Sequence, residues 1–67
     1  MTQAAEDSGR EVYFEFTAIG RSVKVSAIDA ATGLEVSVVG PASASRADLE
    51  RLALQKLKAR LAGDGNR

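Results

Sequence analysis

Between residues 11 and 18 the chain reads EVYFEFTA, and its apolar and polar positions alternate. Val12, Phe14, Phe16 and Ala18 fall on one side, and Glu11, Tyr13, Glu15 and Thr17 on the other. Period two with aromatic and β-branched residues predicts a half-buried strand. Residues 21–29, RSVKVSAID, alternate again, with Val23, Val25 and Ala27 inward and Ser22, Lys24 and Ser26 outward. With Ile19 and Gly20 as a two-residue tip, Phe16 faces Val23, Phe14 faces Val25 and Val12 faces Ala27. That register sets Glu15 against Lys24, an opposite-charge pair worth roughly 0.2–1 kcal/mol. A third run, LEVSVV over 34–39, follows the loop DAATG. In a four-residue loop over 30–33, Asp29 accepts hydrogen bonds from turn amides and Gly33 takes a left-handed position. This loop pairs Asp29 with Leu34, Ala27 with Val36 and Val25 with Val38.

The period changes after Gly40 and Pro41, which end the third strand. Ser45 is placed as a helix N-cap, with Asp48 where a capping box has its acid. Leu49, Ala53, Leu57 and Leu61 then recur at helical spacing, flanked by Leu54, while Leu52 sits off to one side. Asp48 and Glu50 early, and Lys56, Lys58 and Arg60 late, complement the helix dipole, and Gly63 marks the stop. The expected fold is α+β with the order β-β-β-α: a three-stranded antiparallel meander and one C-terminal helix packed on one face. Residues 1–9 and 63–67 are small and polar and are expected to be disordered tails around a single domain over 10–62. Phe14, Val25, Val36 and Leu57 are expected in the core.

One helix covers one face, so the other face of the sheet is the candidate contact surface. Its candidate binding residues are Tyr13, Thr17, Arg21, Lys24, Ser26, Ser37 and Val39, with Glu15, Ser22, Ile28 and Glu35 among them. The first and third expected strands are edges, and open edges invite pairing with another chain. The third strand carries a single charge and is the less protected of the two. Joining two copies through it makes a six-stranded sheet and enlarges a small core.

At 67 residues there is room for one domain, and with no cysteine there is no disulfide to staple it. Nine basic residues balance nine acidic ones. A chain built for nucleic acid usually carries a positive excess, so this balance disfavours that partner. No apolar run is long enough for a membrane helix, and MTQAAEDSGR lacks the apolar stretch of a secretory signal. The chain is expected to be cytoplasmic.

Catalytic chemistry has little to work with. There is no histidine and no cysteine, which removes the usual base, the usual nucleophile pairs and the soft metal ligands. Glu11 and Glu15 share a strand face but stand about 13 Å apart at ~3.3 Å per residue, too far for a carboxylate pair. VVGPASAS lacks the glycines and lysine of a phosphate-cradling loop. We expect no enzyme, no cofactor and no small-molecule substrate.

A three-stranded meander on a C-terminal helix resembles, in architecture, the plant GCC-box-binding domain and the arm-binding domain of phage-type integrases. That resemblance implies DNA reading by the sheet face, with Arg21 and Lys24 on phosphates and Tyr13 stacking. Glu15 and Glu35 share the face and oppose it. The helix cations Arg51, Lys56, Lys58 and Arg60 read as a solvated face. The segments VYFEF, SVKVSAID, TGLEVSVVGPA and LERLALQKL resemble a family of short alphaproteobacterial proteins with no assigned function, over residues 10–58. This resemblance implies a bacterial cytoplasmic protein and brings no activity or site residue. The expected function is a small non-enzymatic interaction module that self-associates through a sheet edge or the exposed face. The alternative is a weak nucleic-acid-binding domain.

Overall fold

Two alternating runs and a loop with its own internal hydrogen bonds set the middle of the molecule. The structure, a computed structural model, describes residues 2–7 and 9–63. Its elements are β1 (Thr2–Asp7), β2 (Arg10–Ile19), β3 (Ser22–Asp29), β4 (Glu35–Pro41) and α1 (Arg46–Gly63). The strands form one antiparallel sheet in the order β1-β2-β3-β4. The α+β class and the C-terminal helix stand as expected, but among the described residues there are four strands and not three.

The extra strand lies in the segment expected as a polar tail. TQAAED has almost none of the β-branched or aromatic residues that mark a strand. It pairs because the chain reverses between Asp7 and Arg10, with Gly9 at φ 79°, and lies back along β2. The Ser–Gly dipeptide was the available signal. One consequence is that β2, expected as an edge strand, is internal.

The β2–β3 register also differs from expectation, by two residues. Ile19 pairs with Ser22, so the tip is Gly20–Arg21. Gly20 stands at φ 60°. The hairpin turns that match strand twist need φ > 0 at the first loop position, which glycine accepts and β-branched isoleucine does not. A slip of two keeps every facing but changes partners: Phe14 meets Ala27, Phe16 meets Val25, and Glu15 meets Ser26, leaving Lys24 opposite Thr17. The β3–β4 register is the expected one, with Val25 on Val38 and Ala27 on Val36.

The loop after β3 is anchored by Asp29. Its Oδ2 accepts from the Thr32 amide at 3.0 Å and the Thr32 hydroxyl at 2.7 Å. Its amide donates to the Leu34 carbonyl and its carbonyl accepts from Gly33, each at 2.8 Å. Its other carboxylate oxygen accepts from Arg10 at 3.0 Å, a partner the sequence pattern did not point to. The side chain is fully shielded from solvent, and both its carboxylate oxygens are hydrogen-bonded. These bonds, that of the Thr32 hydroxyl first, hold its carboxyl below the ordinary value of 3.8.

Ser45 caps α1 as expected: its hydroxyl accepts from the Asp48 amide at 3.2 Å. Asp48 does not return the bond of a capping box and instead binds Arg51 at 2.6 Å. The helix lies over β3 and β4. It buries Leu49, Ala53 and Leu57 against Val12, Phe14, Phe16, Val25, Ala27 and Val36. Leu54 and Leu61 pack at the margin, and Leu52 is exposed. At Gly40 a helix side chain lies directly on the sheet backbone, since a Cβ there would stand 2.6 Å from Leu49 Cδ2. Arg46 caps the near end of the core with its guanidinium 4.4 Å from the centre of the Phe16 ring. The C-terminal tail expected from residue 63 begins with Gly63 still helical; its remainder, 64–67, lies outside the described residues.

Candidate functional site

The helix takes the inner face, so the outer face is built by the cross-strand rows that the register defines. One row runs Thr2, Glu15, Ser26, Ser37 and the next Ala4, Tyr13, Ile28, Glu35. Toward the β2–β3 turn follow Thr17, Lys24, Val39 and then Ile19, Ser22, Pro41. At the opposite end Glu6 faces Glu11.

The expected contact residues are therefore brought to one face, with one correction. Tyr13, Thr17 and Val39 are exposed and Lys24 and Ser37 half-buried, while Arg21 sits at the turn. Ser26, expected to be exposed, is only 3 % accessible. It is the centre of the sheet, and the longer side chains of Glu15, Lys24 and Ile28 around it rise higher than a serine does. Val39, at 63 %, is the most exposed large apolar side chain of the face, with Ile19 beside it at the same end.

Charge divides the face. Glu6, Glu11, Glu15 and Glu35 occupy one part, and Lys24 with Arg21 the other. Among the described residues neither Arg21 nor Lys24 makes an ion pair. The neighbouring Glu11 carboxylate, as hydrogen-bond acceptor and as negative charge, raises the pKa of the Tyr13 hydroxyl above the usual 10.0.

The two edges differ. At β4, Lys56 on the helix reaches over and donates to the Ser37 carbonyl at 2.9 Å. That carbonyl points outward, because the bonds between Asp29 and Leu34 fix the alternation along β4. The edge expected to be the weaker one thus carries a lysine on its open acceptor, a common guard against strand addition. At the other edge β1 is tied to the helix by Gln3 donating to Glu50 at 2.8 Å and by Asp7 with Lys58 at 3.2 Å.

A shallow depression of about 460 Å³ lies between the β2–β3 turn and the end of β4, lined by Gly20, Arg21, Pro41, Ala42 and Ser43. It holds a single charged side chain and no acid–base pair. Among the described residues there is no cluster of carboxylates that could hold a metal, and no helix is long and apolar enough to cross a membrane.

Residues 9–64 match the model of a family described as a domain of unknown function, DUF6898. The chain belongs to this family. The DUF6898 match takes in β2, β3, β4 and α1 and leaves out β1, which ends at Asp7. No curated protein and no solved structure matches the chain.

Proposed function

We propose that the protein is a small non-enzymatic interaction module that self-associates through its sheet. The observation that carries this reading is the uncovered outer face, where Tyr13, Ile19 and Val39 stand exposed on strands whose other side carries the core residues Val12, Phe14, Phe16 and Val36. Small domains bury little of their surface, and a second copy adds what one helix cannot. The reading sets the module in a bacterial cytoplasm, where a chain without cysteine loses nothing to the reducing poise. Its test is the solution mass of the full chain against concentration. A rise from 7.0 kDa toward twice that value supports the reading, and a mass that stays at the monomer up to millimolar protein overturns it.

The alternative, a weak nucleic-acid-binding domain, is favoured by one feature: Lys24 opposite Thr17 and Arg21 at the adjoining turn have no ion-pair partners among the described residues. The four glutamates on the same face oppose it. Amide shifts on Arg21 and Lys24 with short single- and double-stranded DNA, fading as salt rises, support this alternative. No shifts at low salt dismiss it.

A further inference from the structure

The geometry points to β1 as a displaceable strap over the edge of β2, competing there with the β2 strand of a second copy. This rests on the self-association reading and adds where the copies meet. Five observations bear on it.

First, β1 is weakly held. None of its residues is buried, and only Ala5 packs against the core. Its two ties to α1 are the exposed contact Gln3–Glu50 and the partly exposed ion pair Asp7–Lys58, surface contacts of the kind that hold little. Second, its pairing is poor. Glu6 stands directly opposite Glu11, and Gln3 directly opposite Phe14. Like charges facing across strands are destabilising. Third, among the described residues the pairing of β1 reaches Thr2 with Glu15, while β2 runs on to Ile19. Fourth, the family match begins at residue 9 and does not take in β1, which ends at Asp7.

The fifth observation names the occupant. The Ala30 amide donates to the Glu11 carbonyl, so odd residues of β2 bond to β3 and the main chain of Val12, Phe14 and Phe16 faces the strap. Set two β2 strands antiparallel about Phe14. Phe14 then meets its own copy and Val12 meets Phe16, so every core-side residue between them finds an apolar partner. On the outer side Glu11 meets Thr17 and Tyr13 meets Glu15, so no two glutamates oppose each other. The strap offers Gln3, Ala5 and Glu6 to the same positions. Aromatic and β-branched cross-strand pairs are the better ones. The product is one six-stranded sheet, β4-β3-β2 joined to its copy, with both helices on one side. The β4 edge, with Lys56 on the Ser37 carbonyl, is the less suitable meeting place.

Three full-length variants test this by analytical ultracentrifugation, with circular dichroism to check that each is folded. Ala5→Pro removes the amide opposite Val12, in the middle of the strap. It is expected to tighten the dimer by about tenfold. Glu6→Lys replaces the clash with Glu11 by an attraction and is expected to weaken the dimer by about two- to fivefold. Val39→Glu, on the outer face of the far strand, reads that face separately from the β2 edge. Dimer constants that do not respond to either strap variant, with association lost in Val39→Glu, overturn the strap and leave self-association through the outer face standing. A folded Ala5→Pro chain that stays monomeric at millimolar concentration overturns both.

Discussion

The two edges of this sheet are built differently. β4 lies under the helix: Val36 is buried, Gly40 touches Leu49, and Lys56 closes the Ser37 carbonyl. β1 lies beside the core, contributes one alanine to its margin, and is fastened to the helix by polar side chains at the surface. The difference shows what makes an edge strand part of a fold. Backbone pairing is available to both, but only β4 also buries apolar side chains, and burial is the dominant favourable term.

Substitutions can break or sharpen that contrast. The largest effect is expected at Phe14, which packs in the core beneath both halves of the molecule. Phe14→Ala should lose about 3–5 kcal/mol, enough to leave a domain of this size largely unfolded in a urea titration. A cooperative variant of near-normal stability would mean that β2 faces the other way. At the β4 edge, Gly40→Ala puts a methyl against Leu49 and should cost about 1–3 kcal/mol, toward the lower end because a side-chain tip can yield. At the β1 edge, Asp7→Ala removes the Lys58 pair and should change stability by no more than about 1 kcal/mol. If the β1 change costs more than the β4 change, the edges have been ranked wrongly.

The pH dependence belongs to neither edge but to the loop between β3 and β4. Asp29 has a folded pKa below its ordinary 3.8, so its stabilisation is fully present above that value and is lost as pH falls through the folded pKa. Asp29→Asn cannot titrate. The variant should be less stable at neutral pH, and its stability should fall less steeply in acid than that of the parent chain. Parallel acid curves for the two would remove Asp29 from the account.

Much of the fold was legible, for reasons that particular residues make plain. Val12, Phe14 and Phe16 alternate with polar neighbours, and Leu49, Ala53 and Leu57 recur at helical spacing, so the elements and their buried sides could be read directly. Asp29 with Gly33 fixed one hairpin register. The other slipped because parity cannot separate registers two residues apart; only the φ demanded of Ile19 against Gly20 could have done so. β1 was missed because TQAAED has no strand preference of its own and pairs only because the turn at Gly9 lays it along β2. On the outer face the residue set could be listed from parity, but the burial of Ser26 could not. A strand pattern shows which side a residue takes and not how tall its neighbours are across the sheet. Arg10 on Asp29 and Lys56 on Ser37 are likewise long-range contacts that no local pattern encodes.

Native-state amide hydrogen exchange on the full chain tests the contrast most directly, because it reads each strand separately. The account predicts that the Gln3 and Ala5 amides, which face β2, exchange orders of magnitude faster than those of Val25 and Ala27 in β3. Protection in β1 equal to that in β3 would contradict it, and would make the first strand an integral part of the domain.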